Sequence, residues 1–262
     1  NLSSNPNPPE LSDLFFELSN EDRLDIIKLI DKNPKKLSLI SKELDLPVQE
    51  ISRQLNRLVK VKLVTKNGDG AYQVTLMGLN LLGLLPGYQF LAEHFDYFNN
   101  YSLLTLPRNF KGRIGELFHC SLVPSVLVSF ANIEKMIQEA EEYILSMADQ
   151  RILSPQAYFL ANEALMRGVE MKIIEPWGYS APSEVYDNVP VEVSTSIRDH
   201  RIRGVKQDKV LPNVKLSLFM NEKEVALLAF PNIKGEFDYT GFTSTDEAFI
   251  EFCLELHQFY WK

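Results

Sequence analysis

Cysteine, histidine and long apolar runs are all scarce in this chain, and each scarcity excludes a class of function. The two cysteines, Cys120 and Cys253, lie far apart without CxxC spacing, which removes the usual zinc motifs and points to buried free thiols, with a redox role open but unmotivated. The four histidines form no recognisable metal cluster, and no GxSxG elbow, P-loop or HExxH is present, so common hydrolase and nucleotide-binding signatures are missing. The longest apolar stretch, LMGLNLLGLLPG at 76–87, is broken by three Gly, an Asn and a Pro and falls well short of the ~20 residues a membrane span requires. The opening NLSSNPNPPE has no cationic segment leading into an apolar one; it reads as a disordered leader or a truncated end, not a signal peptide. The expectation is a cytoplasmic protein with no membrane partner, no metal and no cofactor.

What remains is a globular composition, 45 % hydrophobic and 24 % charged, in 262 residues, enough for two domains with separate cores. The net charge of −8 would argue against nucleic acid if it were evenly spread. It is not. Residues 32–66 hold nine cations against three acids (Glu43, Asp45 and Glu50), so this window carries +6 and the rest of the chain −14. That asymmetry suits a DNA-reading module joined to an acidic partner domain, because only the face near phosphate needs positive potential.

Local patterns in and around this window agree. Ser19, with Asp22 in the first turn, predicts a capped helix carrying the apolar stripe Leu24, Ile27 and Ile30 up to Asn33-Pro34. Leu37, Ile40 and Leu44 predict a short second helix closed by Asp45 and Pro47. The next segment, LPVQEISRQLNRLVKVKLV, places Ile51, Leu55, Leu58 and Val61 at helical spacing toward a core and turns Gln49, Ser52, Arg53, Asn56 and Arg57 outward. Alone, that cationic face is what many solvated helices show. Two short helices across a tight turn form a helix-turn-helix, and KLVTKNGDGAYQVT then predicts a hairpin around Asn67-Gly68 and Asp69-Gly70, which would be a wing. The ordered set within about 60 residues resembles a winged helix-turn-helix.

Beyond Thr75 the chain is rich in Leu and aromatics. Leu91, Phe95 and Phe98 lie at helical spacing, as a dimer helix or as packing within one chain, and 106–107 reads as the boundary. From Val126 helices and strands alternate: a helix into a strand over VSFANIEKMIQEAEEYILSMA, a helix closed by Gly168 with a strand over 169–174, and a hairpin across 221–223, which argues α/β. The Pro-, Ser- and Tyr-rich WGYSAPSEVYDNVPVEVSTS has no assignment. A last helix, with Ser244 and Glu247 in capping-box spacing, is expected to bury Phe249, Phe252, Leu256 and Trp261.

Together with the winged helix, FKGRIGEL (110–117), AEEYILSMA, EALMRGVEMKIIEP, LPNVKLSLFMNEKEVALLAFP and IKGEFDYTGFTSTDEAFIEFCLELHQFYW resemble the archaeal methanogenesis (filamentation) regulatory proteins. These are winged-helix transcription regulators, TrmB-like in plan, with a C-terminal effector-type domain similar to the phospholipase D fold. The likeness runs from about Asn20 to Trp261 and is most specific in the stretch ending FYW. It implies an α+β winged helix-turn-helix followed by an α/β, non-catalytic phospholipase D-like effector domain. The corresponding plan is a leader and first helix (1–18), a winged helix-turn-helix (19–85), a linker or dimerisation helix (86–106) and an effector-sensing domain (107–262). Phospholipase D enzymes place a nucleophilic His in an HxK motif; His94, His119, His200 and His257 all lack Lys two residues later, so the chain is not expected to be an enzyme.

The implied partners are a double-stranded DNA operator, a second copy of the chain, and a small-molecule or protein effector. Gln49, Ser52, Arg53, Asn56 and Arg57 are the candidates for base edges and nearby phosphates, with Lys42, Lys60, Lys62 and Lys66 for the backbone. Glu50 has two readings, acceptor from cytosine or partner of a neighbouring cation. For the effector, the candidates are Glu175, Trp177 and Tyr179, after a strand's carboxyl end, and the cationic set Arg198, His200, Arg201 and Arg203.

Overall fold

The computed structural model of the chain describes residues 9–149, 155–178 and 189–262. It divides into two units, Asn1–Leu85 and Pro86–Lys262.

The first unit is helical with a small sheet. Helix α1 (Leu11–Leu18) is followed by α2 (Glu21–Lys32), whose cap is Asn20 and not the expected Ser19. Ser19 is unavailable because it ends α1: its N–H donates to Phe15 O at 2.9 Å and its hydroxyl to Phe16 O at 2.9 Å. The Asn20 side chain accepts from Arg23 N–H, and Glu21 and Asp22 in the first turn meet the positive end of the helix. Helix α3 (Leu37–Leu44) closes at Asp45, which takes a left-handed conformation (φ 51°), and α4 (Val48–Lys60) begins directly after Pro47. Strands β1 (Val64–Lys66) and β2 (Tyr72–Val74) form the antiparallel wing, extended by a backbone bridge between Lys35 and Tyr72 at 2.8 and 3.0 Å. The core consists of Ile26, Ile27, Ile30, Ile40, Ile51, Leu55, Leu58 and Leu63, all fully buried. After the wing, the Thr75 hydroxyl caps α5 (Leu76–Leu82) and donates to Lys62 O.

The second unit is a three-layer α/β structure. It opens with α6 (Leu85–Glu93), α7 (Phe95–Phe98) and α8 (Arg108–Lys111), then β3 (Ser121–Val123), α9 (Val126–Glu139), β4 (Tyr143–Met147), α10 (Pro155–Met166), β5 (Glu170–Pro176) and α11 (Val191–Ile202). It ends with β6 (Lys206–Leu211), β7 (Ser217–Asn221), β8 (Val225–Ala229), β9 (Gly241–Ser244) and α12 (Glu247–Trp261). The seven-stranded sheet has the order β3-β9-β8-β7-β4-β5-β6, with β4, β5 and β6 parallel and the other pairs antiparallel. The pleat sorts alternate residues into two cores: Leu145, Met147, Leu218 and Met220 pack with α12, while Ile144 and Phe219 pack with α9 and α10. Buried on both faces, β7 and β8 read as continuous apolar runs instead of alternating ones.

Three expectations change here. The segment 86–106 is not a linker: Phe90, Tyr97 and Leu106 are buried in the core shared with α12, and the Tyr97 hydroxyl donates to Thr240 O at 3.2 Å and accepts from Phe230 N–H at 3.1 Å. The aromatic rings of this segment, Phe90, Tyr97 and Phe98, pack on a wall of Phe230 and Phe242, while Phe95, expected in its apolar stripe, is 63 % exposed. The strand expected at 169–174 runs Glu170–Pro176. The last helix is capped by Asp246, which accepts from Phe249 N–H, and not by Ser244, whose hydroxyl is directed to His119 O.

Candidate nucleic-acid interface

Helix α4 buries Ile51, Leu55 and Leu58, and its opposite side exposes Gln49, Arg53, Asn56 and Lys60. With 3.6 residues per turn, positions 49, 53, 56 and 60 fall on one stripe, so the structure brings together four of the expected DNA-facing residues. Ser52 is half-buried at the margin of that stripe, and Lys42, Lys62 and Lys66 are exposed on α3, the turn after α4 and the wing. The Lys66 ammonium lies 5.5 Å from the Tyr72 ring centroid. At the wing tip, Asn67 Oδ1 accepts from Asp69 N–H and Ala71 N–H, and Gly70 takes the positive φ of 79° that the turn demands.

Arg57 departs from its expected outward course. It is half-buried on the flank of α4, and its Nε and Nη2 donate to the two carboxylate oxygens of Glu17 on α1 at 2.9 and 2.8 Å. This paired hydrogen bond, with Arg23 behind it, holds the Glu17 carboxyl below the ordinary carboxylate range despite its burial. Arg23, 5 % exposed, sends Nη1 to Gln54 Oε1 at 2.8 Å, and Gln54 Nε2 donates to Glu50, which also accepts from Arg53 at 2.7 Å. Glu50 is thus the partner of a neighbouring cation, and Arg53's hydrogen bond to it keeps its carboxyl low. Sequence reasoning missed Glu17, Arg23 and Gln54. A usable signal was Arg23 itself, which sits in helical register with Ile26, Ile27 and Ile30 and so had to be buried with a partner.

The effector candidates in the second unit are not gathered. Glu175 lines a cavity of about 130 Å³ between α9, α10, α11 and the sheet, walled mainly by Ile133, Met136, Ile144, Ala161, Met171 and Phe219, with Ser146, Tyr158 and Lys206 also on it. Lys206 pairs with Asp208, and Arg201 Nε lies 2.7 Å from the same carboxylate. Trp177 is 81 % exposed, and Tyr179 lies outside the described residues. Arg198, His200, Arg201 and Arg203 belong to α11 and its C-terminal cap, where a 100° step per residue spreads them around the axis. Arg198 and Arg203 are exposed, and His200 Nδ1 faces Ser196 O one turn back at 2.8 Å. No helix is long and apolar enough to cross a membrane, and no three His, Cys, Asp or Glu side chains converge as metal ligands, both among the described residues.

Helix, short helix, tight turn, donor-rich helix and wing make the first unit a winged helix-turn-helix DNA-binding module of the transcription-regulator class. Residues 20–66, which span α2 through β1, match the model of the bacterial regulatory proteins of the arsR family. Over 92 % of each chain the fold is similar to that of TrmBL2, an archaeal chromatin protein whose structure shows a novel mode of DNA binding, at 15 % identity and a TM-score of 0.42. Weaker likenesses join 78 % of the chain to 65 % of the O-methyltransferase NcsB1 from neocarzinostatin biosynthesis (12 % identity, TM-score 0.24) and to 64 % of an O-methyltransferase family protein from Burkholderia thailandensis (12 %, 0.26). At these scores none of the three carries an argument about fold or function. No curated protein sequence matches the chain.

Proposed function

We propose that this protein is a transcriptional regulator that reads a double-stranded DNA operator with α4 and its wing, acts as a homodimer, and adjusts operator binding through an effector sensed by the α/β unit. The observation that carries the reading is the exposed stripe Gln49, Arg53, Asn56 and Lys60, flanked by Lys62 and Lys66 inside the +6 window. Its side chains donate to base edges and phosphates, and a single module reaches few phosphates, so two copies on two half-sites gain affinity and length of site. Placement among the archaeal methanogenesis regulatory proteins, and a non-catalytic phospholipase D-like ancestry for the second unit, rest on the sequence resemblance alone.

For the effector, the apolar cavity beside Glu175 supports a compact, largely apolar small molecule. Its volume of about 130 Å³ is near the ~150 Å³ of an engineered apolar cavity that takes up benzene. Lys206 and Arg201 flank the Asp208 carboxylate, which compensates charge at that wall.

The test is selection of genomic DNA fragments by the full chain, followed by titration of the selected fragment at several salt concentrations for wild type and Arg53→Ala. Enrichment of one sequence class, a steep fall of affinity with salt and loss of preference in the variant are expected; no enrichment, with the variant equal to wild type, overturns the DNA reading. Benzene and indole then probe the cavity: a rise in thermal stability together with a changed operator affinity is the expected result. No response to either transfers the sensing role to a docked partner protein.

A further inference from the structure

From the contacts around Arg57 we infer that Glu17 is a positioning residue for DNA reading, which turns the outer edge of the Arg57 guanidinium into a guanine-selective contact. The inference rests on α4 being the recognition helix. A guanidinium has five N–H groups in a fixed plane. Glu17 takes the Nε–H and one Nη2–H, which lie along one edge, at 2.9 and 2.8 Å. The second N–H of Nη2 and one N–H of Nη1 lie along the neighbouring edge, on a side chain that is 42 % exposed. That pair of nitrogens has the spacing that matches O6 and N7 of guanine in the major groove.

The holding group is itself held. The Glu17 side chain is 10 % exposed, and the carboxylate is backed by Arg23 Nε at 3.0 Å. Arg23 is in turn fixed by three acceptors: Glu17 O, Phe16 O and Gln54 Oε1. The Phe16 ring, 5.2 Å from the Arg57 guanidinium carbon, closes one face of the guanidinium. Arg57 therefore has one preferred direction before any ligand arrives, and less rotamer freedom is lost on contact than for a loose cation. The adjacent carboxylate also offsets the positive charge, so that indiscriminate attraction to phosphate weakens while directional donation to a base edge is kept. Arg53, tied to Glu50 and through Gln54 to the same Arg23, ends the polar chain at the most exposed stripe of α4. In this scheme α1, which precedes the helix-turn-helix and adds Leu14 and Leu18 to its core, is part of the reading apparatus.

The experiment measures affinities of the full chain for its selected operator and for every single base-pair substitution of it, in wild type, Glu17→Gln, Arg57→Lys and the double variant. Wild type is expected to prefer G·C at one position per half-site. Glu17→Gln and Arg57→Lys each lose about tenfold of discrimination at that position and keep it elsewhere, and the double variant loses no more than either single one. A uniform loss of affinity over all sequences, with a salt dependence shallower by about one counterion, makes Arg57 a phosphate contact and overturns the inference. An unchanged base profile in both variants makes the ion pair purely structural and overturns it as well. Should Glu17→Gln lower the folded fraction of the first unit, Glu17→Asp, which keeps the charge and shortens the reach to Arg57, replaces it in the same comparison, with the same results deciding. Failure of wild type to prefer any sequence refutes the recognition-helix reading instead, so the two failures are distinct.

Discussion

His257 is 1 % exposed on α12, with its ring stacked on Trp261 at a centroid distance of 5.7 Å. Burial pushes its pKa from 6.5 down to about 4; backbone groups of Ser146 and Lys172 oppose this in part, and the Lys172 charge adds to it. The unfolded chain thus takes up a proton near pH 6.5 while the folded chain takes it up only near pH 4. Between these limits the unfolded state binds more protons, so stability is intact above pH 6.5 and falls as pH drops toward 4. At ~1.4 kcal/mol per pH unit the full interval amounts to about 3 kcal/mol, a large part of the ~5–15 kcal/mol that holds a typical domain. Both tryptophans, Trp177 and Trp261, belong to the second unit, so their emission follows its unfolding alone. Urea midpoints by tryptophan emission at pH 7, 6, 5 and 4 are compared between wild type and His257→Gln, which cannot titrate. Carboxylates held below their ordinary range in this unit, Glu222, Asp238 and Glu255, lose stabilising contacts only at the acid end and do so in both proteins. The wild-type midpoint is expected to fall more steeply than the variant's between pH 6.5 and 4. Parallel curves in that window would refute the argument that a neutral, buried imidazole is required.

Gly241→Ala is expected to destabilise the second unit by more than ~2 kcal/mol, because the added Cβ would sit 2.4 Å from Leu228 O and 2.9 Å from Ala229 Cα on the neighbouring strand; thermal denaturation checks this, and an unchanged midpoint contradicts the packing of β8 on β9. Burial pushes the Cys120 thiol up to about 12 and the Cys253 thiol well above its usual value, so both should react slowly with a disulfide reagent at pH 8 and rapidly in denaturant, and a fast-reacting thiol in the folded protein would contradict the environment described for Cys120 or Cys253.

The elements most legible in the sequence are those whose signals are local. The stripe Ile51, Leu55 and Leu58 gave α4 its buried face, and Asn67 with Gly70 fixed the wing turn, because each depends on neighbours within a few residues. The ion pair of Arg57 was illegible for the opposite reason. Its partner Glu17 is 40 residues away, in a segment whose polar opening suggested no role. The apolar spacing of Leu91, Phe95 and Phe98 is compatible with a dimer seam and with a core; the core contacts come from Phe98 and the neighbouring Phe90 and Tyr97, packed against Phe242, while Phe95 is exposed. Among the effector candidates, adjacency in sequence misled: Arg198, His200, Arg201 and Arg203 look clustered on paper and are dispersed by the turn of α11. The cavity near Glu175 had no motif to announce it, since its walls are ordinary Ile, Met and Ala from five separate elements.

The Tyr97 hydroxyl sets the smallest piece of the second unit that stands as a piece. It satisfies the Phe230 N–H, and its ring joins Phe90 and Phe98 in covering Phe242. A fragment begun at 107, where the sequence suggests a boundary, would lose that acceptor for Phe230 N–H and open the aromatic wall to water, a sticky apolar surface. One begun at 86 keeps both the donor satisfied and the wall closed. The unit of folding in this half of the molecule therefore starts about twenty residues before the boundary that the sequence suggests.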